Sequence, residues 1–501
     1  MNDLPVINVT NGGSVFYADG EPFVALGVQW DFRNTIAPAR SEYLYEHAAA
    51  MNCTTAFVPV LWSQVEPERG CFTFAFVDRQ ITLAARNGLK LSLLWFGSNR
   101  GGSMRFKNKY YPDEDAAEFT YQVPGYIAAN PGIYRRACLP DGRAQESLCP
   151  TCLATLIAEK TAFCNLLRHL AEMDQARTVI LMQVENEIST PEITDLAFPP
   201  RCYCSGCNER FAESGLTQRQ FGDRTYGDYV AELIEAGAEV YSLPFYVNFV
   251  GVPRPGEDIQ YYLDKAPHLI ACAPDIYAGN SSEFRRNQAS FAVGRNVPLV
   301  AETSSDTKDP SERNLYYAVS EGGAIGYDLW AIDTAYGLGA WEPGYGHRTP
   351  LVDREGHWSP KAYQIKEEYG IMRRVMVPLS LSRGTEWMQW FVAEGEACKT
   401  PLELPGLRGQ LDIAANGRGF AIQTGLRDLT LAGHDFVLNL EGLTGEVTAL
   451  AGGWSGYHFV PDGGHVQAEH HDGVVSIFMP RPAVVRLRWG LACESQGVTE
   501  E

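Results

Sequence analysis

Along the first 375 residues, short apolar runs alternate with segments whose apolar residues recur at helical spacing. The run FVALGVQWD at 23–31 precedes EYLYEHAAAMN, and TTAFVPVLW at 54–62 precedes the amphipathic stretch FVDRQITLAARNG, which ends in Asn-Gly. Uninterrupted apolar strands separated by amphipathic helices are typical of parallel sheets, because helices cover both faces of such a sheet. This part of the chain therefore predicts an α/β fold.

Eight apolar runs of this kind occur, and we predict that each forms a strand. They cover residues 23–31, 54–62, 89–97, 178–184, 243–250, 269–279, 297–306 and 323–333. Eight consecutive β-α units favour a (β/α)8 TIM barrel with insertions. A doubly wound open sheet is the alternative, but it would place a glycine-rich phosphate turn after the first strand, and GVQWDFRNT is not such a turn.

The pattern changes after about Met376. Helical spacing disappears, and short alternating segments such as DFVLNLEG and AVVRLRW follow one another between Gly, Asn and Asp residues. Alternation of apolar and polar residues with a period of two is typical of antiparallel strands. We therefore predict a barrel over residues 1–375 and a β-sandwich-like C-terminal domain over residues 376–501.

The charge balance is strongly acidic. Lysine and arginine together number 41 against 61 aspartates and glutamates, which gives a net charge of −20. A negative field repels nucleic acid and anionic membranes, and it also favours solubility. The chain has no apolar run of about 18 residues, and its start, MNDLPVINVTNGG, lacks the basic and apolar regions of a secretory signal. We expect a cytoplasmic protein that binds neither nucleic acid nor membrane.

Polar and aromatic residues collect at the ends of the predicted strands, where TIM barrels carry their functional groups. These residues are Gln29, Trp30, Asp31, Trp62, Trp95, Glu185, Asn186, Glu187, Asp275, Tyr277, Glu302, Asp328 and Trp330. Glutamates after the fourth and seventh strands, ringed by aromatic residues, suit glycoside hydrolysis. In that reaction one carboxyl protonates the leaving oxygen, and the other attacks the anomeric carbon or activates water. For a single strand-end glutamate, the alternative is an ion pair with an arginine inside the barrel.

Three segments resemble the clan of (β/α)8 retaining glycosidases: FVPVLWSQVEPERGCFTF after strand two, QVENEI at strand four and VAETSSD at strand seven. QVENEI is similar to the β-galactosidases of glycoside hydrolase families 35 and 42. The resemblance implies an acid/base directly after an asparagine on strand four, hence Glu187, and a nucleophile on strand seven, hence Glu302. It also implies that Tyr277 steadies the nucleophile and that Asn186 binds the sugar 2-hydroxyl.

Strand alternation places Glu185 and Glu187 on the same side, so alternation does not indicate which of the two is the acid/base. Glu187 lies nearer the mouth of the barrel, where substrate arrives, and we expect Glu185 one layer deeper in a structural pair. The acid/base would need a raised pKa while Glu302 stays ionised.

We expect further substrate contacts around these glutamates. Trp95, Tyr277 and Trp330 close three strands, so we predict that they face the pocket, together with Gln29 from strand one. The loop YGLGAWEPGYGHRTP after strand eight loosely matches the substrate-binding Glu and His of family 42, and His347 is the candidate there.

Among the twelve cysteines, Cys202, Cys204 and Cys207 are clustered in RCYCSGC. Close thiol spacing suits tetrahedral zinc, which needs a fourth ligand, and the alternative is a set of reduced, unligated thiols. Zinc-containing family 42 enzymes carry C-x-C-x-x-C shortly after Asn-Glu and a fourth cysteine well before it. Cys138, Cys149 and Cys152 compete for that place, and Cys149, followed by Pro150, is most similar to the family pattern. The resemblance implies a structural zinc and no cofactor for catalysis.

The sequence thus predicts a retaining exo-β-glycosidase that acts on carbohydrate, with β-galactosidase as the activity that the resemblance implies. Family 42 members are often trimers, so a homo-oligomer is expected as well. Another sugar specificity within the clan is one alternative. A zinc-dependent hydrolase is a second, although thiolates without histidine indicate a closed site. A non-catalytic sugar-binding protein is a third, but such a protein would lack one of the carboxylates.

Overall fold

The computed structural model describes residues 4–10, 13–31, 38–99, 105–107, 119–188, 200–250, 253–333, 350–353 and 356–490. Strands before and within the barrel are β1 (Val6–Thr10), β2 (Gly13–Ala18), β3 (Glu21–Phe23), β4 (Ala25–Trp30), β5 (Thr55–Leu61), β6 (Lys90–Phe96), β7 (Arg105–Lys107), β8 (Phe119–Tyr121), β9 (Arg136–Cys138), β10 (Ala144–Leu148), β11 (Val179–Val184), β12 (Phe245–Phe249), β13 (Leu269–Ile276), β14 (Val300–Ser304) and β15 (Gly326–Asp333). The C-terminal strands are β16 (Met388–Val392), β17 (Cys398–Pro401), β18 (Arg408–Gly425), β19 (Asp428–Glu441), β20 (Val447–Ser455), β21 (His458–Pro461), β22 (Gln467–His471), β23 (Val474–Met479) and β24 (Ala483–Trp489).

The helices are α1 (Pro38–Ala50), α2 (Trp62–Val65), α3 (Ala75–Arg86), α4 (Gly125–Ala128), α5 (Leu153–Met173), α6 (Ser205–Ser214), α7 (Gln218–Val240), α8 (Gly256–Lys265), α9 (Ser281–Ala289), α10 (Ser311–Val319), α11 (Pro360–Arg374) and α12 (Met376–Ser382). Among the helices of the described ranges, none is long and apolar enough to cross a membrane.

Eight parallel strands close into a barrel in the order β4, β5, β6, β11, β12, β13, β14, β15, and β15 pairs with β4. The prediction of a TIM barrel is confirmed, and each of the eight predicted strands is present. Both faces of these strands are covered, since one set of side chains fills the barrel and the other packs against the helices. The carboxyl ends of all eight strands therefore meet at one end of the barrel, where the polar residues follow.

The N-terminal strands close the opposite end of the barrel. Strands β1, β2 and β3 form an antiparallel sheet, and fully buried Phe16 of β2 belongs to the same apolar cluster as Ala25, Leu299 and Ile325. Ala25 begins β4, while Leu299 and Ile325 directly precede β14 and β15. This sheet, which the sequence pattern did not predict, therefore covers the amino ends of the barrel strands.

The C-terminal part forms one antiparallel sheet of nine strands, so the predicted β domain is confirmed. Strand β19 pairs with β24 through residues 428–433 and with β23 through residues 436–441. Strand β18 likewise pairs with β17 through residues 410–413 and with β16 through residues 418–422. Side chains from both parts of the sheet share one apolar cluster. Helix α12 lies beyond the predicted boundary at residue 376, where no helix was expected, and β16 begins at Met388.

A buried polar cluster joins the β domain to helix α11. The Glu368 carboxylate accepts hydrogen bonds from Arg418 Nε at 3.0 Å, His434 Nε2 at 3.1 Å and Tyr316 OH at 2.7 Å. Burial alone would raise the pKa of Glu368, but the hydrogen bond from His434 and the charge of Arg418 outweigh it, so the pKa lies below its usual range. The carboxylate is therefore ionised and paired in the folded protein.

Replacing Glu368 by glutamine should destabilise the protein by roughly 3 kcal/mol at pH 7, because it leaves buried Arg418 without its partner. A carboxyl with a lowered folded pKa contributes stability above its unfolded pKa of about 4.3 and loses it as pH falls through the folded pKa. The difference between wild type and variant should therefore shrink below about pH 4.5. Urea denaturation at pH 7 and pH 4 measures it, with exposed Glu367→Gln as the matched control. Equal loss in both variants would contradict the role of the cluster.

Candidate active site

Glu302 lies near the end of β14, where an irregularity in strand pairing changes which side chains face inward. Val300 pairs with Tyr327 and Thr303 pairs with Leu329, so β14 advances three residues while β15 advances two. An extra residue of this kind bends a strand locally and re-aims its side chains. It explains why Glu302 points into the barrel although Val300, an even number of residues before it, packs against the helices.

Two neutral donors hold the Glu302 carboxylate. Gln29 Nε2 of β4 donates to Oε1 at 2.9 Å, and the Tyr277 hydroxyl, just after β13, donates to Oε2 at 2.5 Å. Glu302 is only 6 % exposed. Both predicted partners, Gln29 and Tyr277, therefore lie at the carboxylate and fix its orientation.

Glu187 follows β11 in a left-handed backbone conformation, with φ of +49°. Its backbone N–H donates to Asn248 Oδ1 at 2.7 Å, and Asn248 Nδ2 donates to Asn186 Oδ1 at 3.2 Å. Gln183 Nε2 donates to the same Asn186 oxygen at 3.2 Å. Asn186 and Glu187 are half-buried, so both side chains are reachable from the end of the barrel.

The carboxylates of Glu187 and Glu302 approach each other closely. One oxygen from each of Glu187, Asp275 and Glu302 lies within 4.8 Å of the other two. In retaining glycosidases the two carboxyl groups are about 5–5.5 Å apart, whereas inverting enzymes hold them about 6.5–9.5 Å apart to admit a water molecule. The geometry suits attack by one carboxylate on a carbon whose leaving oxygen the other protonates.

Asp275 and Asn248 complete the site, although the sequence analysis did not assign either a role there. Asp275 is the register neighbour of Glu302 on the adjacent strand, and Asn248 Nδ2 donates to its carboxylate at 3.1 Å. Asn248 thus links the acidic group on β13 to the Glu187 main chain. The sequence feature that could have indicated this role of Asn248 is the single side-chain amide within the apolar strand PFYVNFV.

Trp95 does not face the pocket, so that prediction is wrong. Its side chain is fully buried between the barrel and α5, where its ring lies 5.6 Å from that of Phe163 and its indole N–H donates to Glu159 Oε1 at 2.9 Å. On β6, Leu91 and Leu93 share the helix-facing side with Trp95, whereas Leu94 and Phe96 face inward. The position of Trp95 at the end of a strand therefore did not determine whether its side chain faces the barrel interior or the helices.

Trp330 differs from Trp95, because it is half-buried and pairs in register with Gln29, whose side chain points into the barrel. Register partners on neighbouring parallel strands project to the same face, which places Trp330 on the pocket side. The other candidate from this part of the chain, His347, lies outside the described residues.

Glu185 directly follows β11, with 1 % exposure and φ of +63°, so strand alternation does not extend to it or to Glu187. Its carboxylate accepts hydrogen bonds from Ser98 N at 2.9 Å, Ser98 Oγ at 2.8 Å and Asn99 N at 3.2 Å. These three hydrogen bonds come from the loop after β6 and not from an arginine inside the barrel.

Four cysteine sulfurs converge at a separate site beside the start of α5. The distances from Cys149 Sγ are 3.7 Å to Cys202 Sγ, 3.7 Å to Cys204 Sγ and 3.6 Å to Cys207 Sγ. Of the candidates for the fourth position, Cys149 is the one grouped with these three. The Cys138 and Cys152 thiols donate instead to the backbone oxygens of Arg136 and Ile133.

This donor set fits a tetrahedral metal site. Bonds of about 2.3 Å from zinc to four thiolates place the sulfurs about 3.8 Å apart, close to the distances found here. Backbone N–H groups of Cys138 and Cys204 both donate to Cys202 Sγ at 3.4 Å, and the Arg135 guanidinium interacts electrostatically with the cluster. Such donors and a nearby cation stabilise thiolate charge.

Comparison with solved structures shows the fold. A catalytic mutant of a family 42 β-galactosidase from G. stearothermophilus matches with a TM-score of 0.51 and 12% identity, over 74% of this chain and 58% of that one. A β-galactosidase from the haloarchaeon Halorubrum lacusprofundi matches at 0.48 and 14%, over 70% and 58%. An endogalactoceramidase matches at 0.47 and 15%, over 97% and 100%.

The chain spans less than two thirds of the length of these two β-galactosidases. No family sequence profile matches the chain. No curated protein matches it either. The likeness to glycoside hydrolases therefore lies in the three-dimensional fold that carries the two glutamates.

Proposed function

We propose that the protein is a retaining exo-β-glycosidase and that β-galactosides are its substrates. The observation that carries the proposal is the close approach of Glu187 and Glu302, from the fourth and seventh strands, at the carboxyl end of the barrel. The orientation of Glu302 by Gln29 and Tyr277 adds support, since a nucleophile must meet the anomeric carbon from a fixed direction. The galactose preference rests on the QVENEI resemblance.

In the first step, Glu302 attacks the anomeric carbon and forms an ester bond as the bond to the leaving oxygen breaks. Glu187 transfers its proton to that oxygen, so the aglycone leaves as a neutral alcohol. The Asn248 hydrogen bond to the Glu187 backbone holds the acid in place for this transfer. Asn186, anchored through its side-chain oxygen, presents its amide N–H groups to the sugar 2-hydroxyl.

In the second step, Glu187 is a carboxylate and accepts a proton from water. The resulting hydroxide equivalent attacks the anomeric carbon, and Glu302 leaves as a carboxylate. Two inversions give net retention. Ester formation removes the negative charge of Glu302 from beside Glu187, which makes it easier for Glu187 to become the carboxylate that the second step needs.

We also propose that Cys149, Cys202, Cys204 and Cys207 bind a structural zinc ion. The sulfur spacing supports this, and four thiolates leave no coordination position for water, so the metal would stabilise the loop before α6 without taking part in hydrolysis. A homotrimer and a cytoplasmic location stay predictions. The exo mode depends on a loop over residues 97–112, most of which lies outside the described residues.

A panel of nitrophenyl glycosides tests the proposed activity. We expect release of nitrophenol from β-glycosides and not from the α-anomers, with the β-galactoside as the best substrate. Proton NMR at early times should show the β-anomer of the free sugar before mutarotation. Initial formation of the α-anomer would establish inversion, and release of internal fragments from a polymer without terminal monosaccharide would exclude the exo mode. Preferential hydrolysis of a β-glycoside of another sugar would indicate that the protein has a different sugar specificity within the same clan.

A further inference from the structure

A second pair of carboxyl groups lies behind the candidate active site. Glu159 projects from α5 and is fully buried, and it meets buried Glu185 beneath Gly97. A Cβ atom added to Gly97 would lie 1.9 Å from Glu159 Oε1 and 2.8 Å from Glu185 Oε1, so a glycine is needed where the two carboxyls meet. Both Oε1 atoms therefore lie around the same point, which brings the two carboxyl groups next to each other.

This pair must hold a proton, because two buried carboxyl groups side by side would repel each other strongly if both were ionised. Neither carboxyl makes an ion pair with any residue in the described part of the chain. Burial raises the pKa of Glu159 first, and the charge and hydrogen bond of Glu185 raise it further. Glu185 receives three hydrogen bonds from the Ser98–Asn99 turn, and the raised pKa of Glu159 makes Glu159 the member of the pair that holds the proton.

The Glu159 carboxyl is itself held in a fixed position. Trp95 Nε1 donates to Oε1 at 2.9 Å, and the Tyr229 hydroxyl of α7 donates to Oε2 at 2.6 Å. These bonds give the buried indole of Trp95 a partner. The titratable groups that face the pair are Tyr229 and Tyr226, both from α7, and the four-cysteine group lies beyond Tyr226.

Glu185 is connected to the acid/base, Glu187, through a single residue, Asn99. Its carboxylate accepts the backbone N–H of Asn99, and Asn99 Nδ2 donates to the carbonyl oxygens of Asn186 at 2.9 Å and Glu187 at 3.2 Å. Gln122 Nε2 also stabilises this turn, because it donates hydrogen bonds to the carbonyl oxygens of Gly97 and Asn99, each at 2.7 Å. Both Glu185 and Glu187 have positive φ, an unfavourable conformation that persists only where surrounding contacts enforce it.

We propose that Glu159 is a positioning residue for Glu187. Its carboxyl donates a hydrogen bond to Glu185, which fixes the Glu185 side chain where it accepts the hydrogen bonds of the Ser98–Asn99 turn. That turn in turn holds the main chain of Asn186 and Glu187. The proposal rests on the proposed glycosidase activity, because its main readout is the acid step that Glu187 performs.

The test compares three variants of the full chain on two substrates with different leaving groups. Glu159→Gln keeps a donor towards Glu185, whereas Glu159→Leu removes it at similar size. Tyr229→Phe is the matched control, since it deletes one hydrogen bond to Glu159 and spares the carboxyl pair. kcat and KM are measured for an alkyl β-glycoside, which needs protonation of its leaving oxygen, and for a dinitrophenyl β-glycoside, which does not.

We expect Glu159→Leu to lower kcat/KM, which depends only on the steps up to formation of the glycosyl-enzyme, at least about ten-fold on the alkyl glycoside and less than about three-fold on the dinitrophenyl glycoside. Glu159→Gln and Tyr229→Phe should stay within about three-fold of wild type on both. An equal loss on both substrates would indicate a structural role only and overturn the proposal, as would normal activity of Glu159→Leu. A wild-type protein without activity on any glycoside would instead contradict the proposed function.

A second readout does not require activity. An acid with a raised folded pKa contributes stability below its unfolded pKa and loses it as pH rises through the folded pKa. Glu159→Gln abolishes this titration, so the Tm of the wild type should fall relative to the Tm of Glu159→Gln as the pH rises from 5 to 9. A constant difference over that range would overturn the shared proton, whatever the enzyme hydrolyses.

Discussion

Replacing Glu302 by alanine is expected to lower turnover of a nitrophenyl β-glycoside by at least roughly three orders of magnitude, as removal of a covalent nucleophile does. The alanine leaves space beside Gln29 and Tyr277 where the carboxylate stood. Azide should enter this space, attack the anomeric carbon and restore turnover. Because only one displacement then occurs, the product should be the α-glycosyl azide. Steady-state kinetics with and without azide and NMR of the product measure both effects.

Glu187→Ala provides the contrast for this experiment. It should form the glycosyl-enzyme from a dinitrophenyl glycoside, whose aglycone leaves without a proton, and then accumulate it because no base activates water. Azide should resolve that intermediate to the β-glycosyl azide. The same azide anomer from both variants would contradict the assignment of the two roles. Full activity of Glu302→Ala together with loss on treatment with a chelator would favour a zinc-dependent hydrolase.

Removal of one clustered thiol should have the second large effect. We expect about one zinc per chain in protein purified without chelator, and Cys204→Ser should lose this metal and unfold at a temperature lower by roughly 5 °C or more. The reason is that the metal bonds would join the segment around Cys202, Cys204 and Cys207 to Cys149 before α5. The four-cysteine group lies outside the carboxylate site, so KM should change little in the fraction that stays folded.

Cys152→Ser is the matched control, since Cys152 is also buried at the start of α5 but lies outside the four-cysteine group. It should retain zinc, and its Tm should change much less. Metal content by atomic absorption and thermal denaturation decide the question together. Zinc-free wild type, or equal destabilisation by both substitutions, would contradict a metal site.

The barrel could be predicted because its signal is local. Each strand is a short apolar run and each following helix has its own period, so all eight strands were identified from the sequence. The position of Glu187 and Glu302 at strand ends follows from the same pattern. That Glu302 points inward does not follow, because the extra residue in β14 shifts the alternation, and nothing in VAETSSD marks it.

Contacts between distant segments account for the other differences. Trp95 looked like a pocket residue because it ends a strand, yet its partner Glu159 lies on a helix 64 positions away and places it in the core. Cys149 was selected over Cys138 and Cys152 by the family resemblance, and spacing alone could not have selected it, because the choice depends on how two loops meet. The helix α12 escaped notice because MVPLSLS is short and contains a proline, and its burial comes from tertiary packing.

The shared packing of barrel and β domain limits how this protein can be divided. Phe420, Ile422, Ala432 and Val484 belong to the same apolar cluster as the barrel helices, and the Phe420 ring stacks on Tyr316 of α10 at 5.0 Å. Helix α10 directly follows the strand that carries Glu302. A chain shortened to the barrel would expose this apolar face to water and to other copies. Recombination in evolution would therefore have to exchange the contact surfaces of the barrel helices and of the β domain together.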